Sequence, residues 1–233
     1  MLQINLENFN KLDFISNEAY KQIRTNIQFC GDSIKVICIT SSLPNEGKSN
    51  VSFNLAVSIA ECEYKVVFID TDLRRSIIIG RYKPDQVVAG LSHYLSGINN
   101  LDDILYETNI PNLDMVFTGA VPPNPAELLG SNNFADLIKK LREEYDYIII
   151  DTPPLGSVID AVVVAEHSDG VVLVIEANAI SYKFLRRVKK QLDQGNCKIL
   201  GAVLNKVNIR KGQYHYYGKK GKRYDSNYYS YNT

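Results

Sequence analysis

Short, continuously apolar runs recur along the chain, and stretches with helical spacing of apolar residues separate them. The runs cover residues 36–39, 66–69, 113–117, 147–150, 171–175 and 198–204. Their continuous hydrophobicity is typical of strands that are covered on both faces. The helical stretches cover residues 47–62, 88–96, 101–106, 131–144, 158–166 and 181–194. Strands that alternate with helices predict an α/β fold with a mainly parallel central sheet flanked by helices.

The chain changes character after Lys206, where aliphatic residues almost disappear. Such a segment cannot bury a core, so we predict one folded domain over residues 1–208 and a flexible tail over residues 209–233. The tail is basic and contains seven of the chain's fifteen tyrosines, which are Tyr214, Tyr216, Tyr217, Tyr224, Tyr228, Tyr229 and Tyr231.

Composition excludes several classes of protein. Of the 233 residues, 45% are apolar and 22% are charged, and the formal net charge is zero. These values are typical of a soluble globular protein without a general attraction to nucleic acid or anionic membranes. The sequence shows no signal peptide and no apolar run near the ~20 residues of a membrane span, so we expect a cytosolic protein. The four cysteines lack Cys-x-x-Cys spacing, which argues against a zinc or redox site.

The stretch SSLPNEGKSN, residues 41–50, lies between a predicted strand and a predicted helix. A Gly-Lys-Ser turn in this position cradles nucleotide phosphates, because backbone N–H groups and the helix N-terminus face the anion. Lys48 would reach the β- and γ-phosphates, and the Ser49 hydroxyl would bind Mg²⁺. The usual first glycine is replaced by serine. The predicted nucleotide-binding residues are Ser42, Pro44, Asn45, Glu46, Gly47, Lys48, Ser49 and Asn50.

Carboxylates follow two other predicted strands. One strand ends in Asp70-Thr71-Asp72-Leu73-Arg74, and a later one ends in Asp151-Thr152-Pro153-Pro154. The carboxyl ends of parallel strands face the ligand crevice, where the Gly-Lys-Ser loop also lies. Asp151 therefore reads as the Walker B carboxylate that organises Mg²⁺.

Taken together, these motifs resemble the bacterial tyrosine kinases of capsule and exopolysaccharide assembly. The shared elements are Ser-x-x-Pro-x-x-Gly-Lys-Ser, the Asp-x-Asp-x-Arg strand end (the family's Walker A′ motif) and the Asp-Thr-Pro-Pro strand end. GAVPPNPAELLGS, EAYKQIRTNIQF and the tyrosine-rich tail extend the resemblance over nearly the whole chain. The resemblance implies a P-loop NTPase fold, the cofactors ATP and Mg²⁺, and phosphoryl transfer to tyrosine.

The resemblance also implies roles for individual residues. A tyrosine phenol has a pKa near ~10, so a carboxylate must accept its proton, and Asp70 and Asp72 are the candidates. The other member of that pair would hold Mg²⁺ together with Ser49 and Asp151. Lys48 and Arg74 would stabilise the charge of the transferring phosphoryl group. Asn205 has two interpretations, an adenine contact or a strand cap.

Partners follow from the resemblance as well. The chain is similar to the stand-alone cytoplasmic type, which works at the inner face of the membrane with a transmembrane polysaccharide co-polymerase adaptor whose cytoplasmic tail activates it. A tyrosine phosphatase would reverse tail phosphorylation, and the cycle would regulate polymerisation and export. The family's Glu-x-x-Arg-x-x-Arg motif, which joins subunits into a ring, becomes Glu18, Lys21 and Arg24 here. Neighbours in such a ring would phosphorylate the tail tyrosines in trans.

Two other functions are compatible with parts of the sequence. The first is a ParA- or MinD-like ATPase, which resembles this chain in the Asp-x-Asp strand but carries a signature lysine where this chain has Leu43. The second is a nucleic-acid-binding protein that uses its basic aromatic tail for stacking and charge contacts. The kinase-like motifs favour a tail that is a substrate, without nucleic acid as a partner.

Overall fold

The computed structural model describes residues 2–7, 12–86, 88–195 and 197–208. The strands are β1 Leu2–Ile4, β2 Val36–Ser41, β3 Val66–Asp70, β4 Leu105–Thr108, β5 Leu113–Val116, β6 Tyr147–Asp151, β7 Gly170–Glu176 and β8 Ile199–Asn205. The helices are α1 Phe14–Gln28, α2 Lys48–Ala60, α3 Ile78–Tyr82, α4 Leu91–Leu95, α5 Pro125–Leu129, α6 Asn132–Glu144, α7 Asp160–Ala165 and α8 Tyr182–Gln194.

In the described residues the strands form one sheet, in the order β1-β4-β5-β3-β6-β2-β7-β8. Each neighbouring pair is parallel except β4 and β5, which form an antiparallel hairpin. The prediction of a mainly parallel sheet is therefore confirmed.

Helices cover both faces of the sheet, as the continuously apolar strands require. One core contains the apolar sides of α6 and α8, for example Phe134 and Leu192. The other core contains α2 and, outside it, α1 through Tyr20 and Ile27. Because α2 lies between the sheet and α1, nearly all its side chains are buried. Within the described part of the chain, no helix has the length and apolar character needed to cross a membrane.

The helix predicted over residues 101–106 is wrong. A 3-10 helix covers Leu101–Asp103, and the chain then enters β4. Tyr106 lies opposite Met115 in the hairpin and is buried against Phe117. Aromatic pairing across strands therefore prevails over the helical spacing of this short stretch. The sequence patterns also did not predict the short elements β1, α3 and α5.

The sheet register fixes the position of the predicted site. Asp70, the last residue of β3, lies opposite Asp151, the last residue of β6. Asp151 also lies opposite Ile39, two residues before the end of β2 and the start of the loop that leads into α2. The Gly-Lys-Ser loop and both acidic strand ends therefore meet at one edge of the sheet.

Candidate active site

The phosphate-binding loop, residues 42–47, connects β2 to α2. It contains two left-handed residues, Asn45 with φ 66° and Gly47 with φ 91°. Asparagine tolerates this region better than most residues, and glycine adopts it freely. A side chain at Gly47 would also collide with Asn205, because a Cβ there would lie 2.2 Å from Asn205 Nδ2. The sequence of the loop is thus matched to a tight turn.

Lys48, the first residue of α2, lies among carboxylates. Its Nζ is 3.3 Å from Asp72 Oδ2, 3.5 Å from Asp151 Oδ2 and 3.0 Å from Ser49 Oγ. The lysine side chain is only 12% exposed, and that of Asp151 is 1% exposed. The structure therefore brings together Lys48, Ser49, Asp72 and Asp151, as the motifs predicted.

Asp70 lies next to this group and is fully buried. Its carboxylate accepts hydrogen bonds from the Ser76 hydroxyl and, at 3.1 Å, from the Asp72 N–H. Burial, helped by the negative charge of Asp151, raises the pKa of Asp70 to about 8. An acid with this pKa can exchange a proton near neutral pH.

The pKa values of Asp151 and Lys48 are shifted as well. Burial raises the pKa of Asp151, although the Lys48 charge opposes that shift. Burial alone would lower the pKa of Lys48, but the Asp151, Asp72 and Asp70 charges outweigh it, so the pKa is raised. Lys48 therefore remains an ammonium group.

Among the described residues, no group of three or more His, Cys, Asp or Glu side chains is arranged to hold a metal ion. The predicted set of Asp70, Asp72 and Asp151 does not by itself form a metal cage, since Lys48 lies against two of its members. Mg²⁺ usually takes one or two carboxylates and completes its shell with water and substrate phosphates. The Ser49 hydroxyl and the Asp151 carboxylate fit that smaller role.

One polar atom in the loop points to a ligand. The Ser42 hydroxyl is buried, and within the described chain it has no hydrogen-bond partner. Buried hydroxyls normally form hydrogen bonds. The Ser42 hydroxyl could therefore donate to an acceptor on a ligand, such as a phosphate oxygen. The residues present therefore fit a nucleotide.

Arg74 has a partner that the sequence patterns missed. Its Nε and Nη2 donate to the two carboxylate oxygens of Asp160, at 2.8 and 3.1 Å. Asp160 is fully buried at the start of α7, so this bidentate pair joins the loop after β3 to the helix after β6. To contact a phosphoryl group, as predicted, Arg74 would have to break its pair with Asp160 or use a donor that this pair does not occupy. An aspartate in the first turn of a helix reads as a cap, which is why the sequence did not single out Asp160.

Three predicted nucleotide contacts have their side chains engaged within the protein. The Glu46 carboxylate is buried and accepts from Leu43 N–H at 2.6 Å. Asn50 Oδ1 accepts from Arg81 at 3.0 Å. Asn205 Nδ2 donates to the Glu46 carbonyl at 2.8 Å, so Asn205 packs against the loop at the end of β8.

The residues predicted to join subunits lie on α1, away from the strand ends. Lys21 pairs with Glu18 at 2.7 Å within the same helix. Arg24 donates to the carbonyl of Ser58 and, at 3.2 Å, to its hydroxyl. Part of the Arg24 donor set therefore holds α1 against α2 in its own subunit. The predicted phosphorylation sites, from Tyr214 to Tyr231, lie outside the described residues.

Comparison with known proteins identifies the family of the chain. The model of the AAA domain family matches residues 34–199. The chain is 45% identical over 208 residues to the tyrosine-protein kinase CpsD of Streptococcus agalactiae, covering 89% of this chain and 91% of that protein.

Solved structures show the same fold. The kinase domain of Escherichia coli tyrosine kinase ETK superimposes with a TM-score of 0.80 at 34% identity, covering 87% of this chain and 80% of that one. The chimerical protein CapA2B2 gives a TM-score of 0.79 at 32% identity, covering 89% and 94%. The septum site-determining protein MinD of Pyrococcus horikoshii, complexed with Mg-ADP, gives 0.64 at 27% identity, covering 76% and 72%. The chain thus has a P-loop NTPase fold and is more similar to tyrosine kinases than to MinD.

Proposed function

The chain belongs to the bacterial tyrosine-protein kinases, and from this membership we propose that it transfers the γ-phosphoryl group of ATP to tyrosines of its own tail, residues 209–233. The observation that carries the proposal is the position of Lys48, whose ammonium group lies between Asp72 and Asp151. The adjoining loop contains the buried Ser42 hydroxyl, which has no hydrogen-bond partner among the described residues. The names of its relatives support the enzyme class.

Nucleotide binding rests on the loop and Lys48. The loop N–H groups and the N-terminus of α2 supply donors for phosphate oxygens, and Lys48 adds a positive charge. Phosphates entering the site would compete with Asp72 and Asp151 for that charge. The neighbour MinD, which was solved with Mg-ADP, supports nucleotide as the ligand of this fold.

Mg²⁺, when bound, supplies charge that neutralises the transferring phosphoryl group. Ser49 and Asp151 would hold it. The Ser52 hydroxyl donates to Asp151 Oδ1 at 3.0 Å and thereby orients the carboxylate. The contacts of Lys48 Nζ with the two carboxylates, at 3.3 and 3.5 Å, are longer than usual for a charged hydrogen bond, so phosphate oxygens would replace them at low cost.

The acceptor tyrosine must lose its phenol proton, and we assign that proton to the Asp70–Asp72 pair. Burial raises the pKa of Asp70 to about 8, so this carboxylate, once it is ionised, is a stronger base than an ordinary aspartate. Asp72 is the more accessible member and lies against Lys48. The Asp72 N–H bond to Asp70 links the two, so a change at one carboxylate will affect the other.

Several wider roles form part of the same proposal. Residues 1–208 would be the kinase domain, and tail phosphorylation in trans would occur between neighbours in a ring. The kinase would sit at the inner face of the membrane through a transmembrane adaptor, with a phosphatase reversing its action during capsule or exopolysaccharide export. These roles rest on the resemblance to the stand-alone kinases of capsule assembly, and the CpsD relative supports the kinase class on which they depend.

A single incubation separates the candidate functions. The purified full chain is mixed with labelled ATP and Mg²⁺, and phosphotyrosine and released ADP are both measured. We expect label on tyrosine. Release of ADP without phosphotyrosine would favour the MinD-like ATPase. No use of ATP, together with retention of single-stranded nucleic acid, would favour the binding protein.

A further inference from the structure

Two side chains at the end of the last strand form hydrogen bonds with the phosphate-binding loop. Lys206 follows β8 directly, and its Nζ donates to the Asn45 carbonyl at 2.6 Å. The same ammonium group pairs with Glu176 Oε2, at the end of β7, at 2.8 Å. One residue earlier, Asn205 donates to the Glu46 carbonyl at 2.8 Å. Two successive loop carbonyls are thus bound by side chains from two successive residues.

Such contacts fix a loop whose backbone enters the left-handed region. Asn45 has φ 66°, which asparagine tolerates better than most residues, although it is still less favourable than an ordinary conformation. The buried Glu46 carboxylate adds a second brace, since it accepts from the Leu43 N–H at 2.6 Å and from the Glu176 N–H at 3.2 Å. Glu176 therefore contacts both Lys206 and Glu46, and the strand ends and the loop form one connected network.

Fixing these carbonyls also fixes the donors that face a ligand. In a planar trans peptide the C=O and the following N–H point in opposite directions. When Lys206 holds the Asn45 carbonyl, it directs the Glu46 N–H away from Lys206. Likewise, the Asn205 bond directs the Gly47 N–H away from β8. Loop N–H groups that are already oriented in this way bind an anion without the free-energy cost of rearranging the loop.

We propose that Lys206 is a positioning residue that sets the phosphate-binding loop for nucleotide, and that its loss weakens nucleotide affinity without changing the chemical step. This inference rests on the proposed function only in taking ATP or ADP as the ligand of the loop. Lys206 lies outside the nucleotide-binding motifs that the sequence analysis identified.

The test measures binding of ADP with Mg²⁺ to the full chain by titration calorimetry. Lys206→Met removes the charge and keeps an apolar stem, and Lys206→Arg restores a donor. Lys189→Met is the matched control, because Lys189 forms an exposed pair with Asp193 on α8 and leaves the loop untouched. We expect roughly threefold to tenfold weaker ADP binding for Lys206→Met and recovery in Lys206→Arg. Lys189→Met should bind as the unchanged chain does.

Thermal unfolding and kinase kinetics complete the test. Both methionine variants lose one exposed ion pair, and Lys206→Met also loses the hydrogen bond to the Asn45 carbonyl, so its unfolding midpoint should be only slightly lower than that of Lys189→Met. At saturating ATP, Lys206→Met should reach the normal rate with a raised KM. Unchanged ADP affinity, an equal loss in Lys189→Met, or a lowered rate at saturation would each overturn the positioning role. If the chain without any substitution binds no ADP, the proposed function itself is refuted. If Lys206→Met unfolds early, Glu176→Gln, which removes the partner carboxylate, must weaken ADP binding for the role to stand.

Discussion

Lys48 and Asp151 lie within 3.5 Å of each other although 103 residues separate them in sequence. They meet because β2 and β6 are adjacent parallel strands, so the loop after one strand faces the last residue of the other. Asp72 completes the group from the segment that follows β3, the strand on the other side of β6. The lysine is thus held at the place where the phosphates of a nucleotide would arrive.

Replacement of Lys48 by Met should abolish tyrosine phosphorylation and leave the fold intact. The methionine keeps the apolar stem, and the neighbouring carboxylates can take up a proton when their counter-charge is lost, because burial already raises the pKa of Asp151. Phosphotyrosine formation and circular dichroism are the measurements. Asp70→Ala, Asp72→Ala and Asp151→Ala should also be severely impaired. Near-normal activity in folded Lys48→Met would reject the site, and Lys189→Met serves as the control for a lost lysine.

Asp70→Asn should change how stability depends on pH. The pKa of Asp70 in the folded protein, about 8, lies above the ordinary value of 3.8. Between these values the unfolded chain is the more ionised state, so this group makes stability fall as pH rises through about 8. Asparagine cannot ionise, so the unfolding midpoint of the nucleotide-free variant should fall less steeply over that range.

The control for this comparison is Asp193→Asn, which removes an exposed carboxylate on α8. Its midpoint should follow the unchanged chain across the pH series. Parallel curves for Asp70→Asn and the unchanged chain would show that the Asp70 carboxylate does not carry a raised pKa.

Glu18 is a better residue than Arg24 for testing assembly. Arg24 also holds α1 against α2 through Ser58, so a change there alters packing as well as any contact between subunits. Glu18→Ala removes only an exposed pair with Lys21, worth about 0.2–0.5 kcal/mol within a helix. We expect light scattering to show smaller assemblies for Glu18→Ala and monomers for the double change of Glu18 and Arg24 to Ala. An unchanged large assembly in the double variant, with an unchanged unfolding midpoint, would rule out this surface.

The strand ends were predictable because parallel topology forces them to one edge. Asp70 and Asp151 each follow a continuously apolar run, so the alternation of strands and helices was enough to bring both beside Lys48. The hairpin of β4 and β5 was not predictable in the same way. Leu101, Ile104 and Leu105 follow the i, i+3, i+4 spacing of a helix, and only the pairing of β4 with β5 decides the outcome.

Contacts between distant segments within the site were also beyond the sequence patterns. Nothing near Asp160 indicates that its carboxylate is buried under Arg74, and nothing near Lys206 indicates that it binds the Asn45 carbonyl. Glu46 was expected to face nucleotide because it belongs to the motif, whereas its carboxylate is used to brace the loop. Sequence motifs identify the residues around a ligand. The contacts that these residues make with the rest of the protein depend on the three-dimensional fold and cannot be read from the motif.

Tail phosphorylation in trans can be tested with two chains that are each incomplete. Lys48→Met protein keeps the tail but lacks the kinase activity, and a chain of residues 1–208 keeps the site but lacks all seven tail tyrosines. Neighbours in a ring would hold a tail close to another subunit's site, so transfer should be fast without tight peptide recognition. We expect phosphate on the tail of the Lys48→Met chain after mixing with ATP. No phosphate there would refute transfer between subunits.

The same mixture tests whether phosphorylation releases the subunits. Each phosphate adds about −1.5 to −2 charges at neutral pH, so several would turn the basic tail acidic. An acidic tail would be repelled from a site bordered by Asp70, Asp72 and Asp151, and neighbouring subunits would separate. Light scattering of the unchanged chain, before and after full phosphorylation and again after phosphatase treatment, should show a smaller and then a restored assembly. A constant size would reject the release step while leaving the kinase activity in place, because transfer and release depend on different contacts.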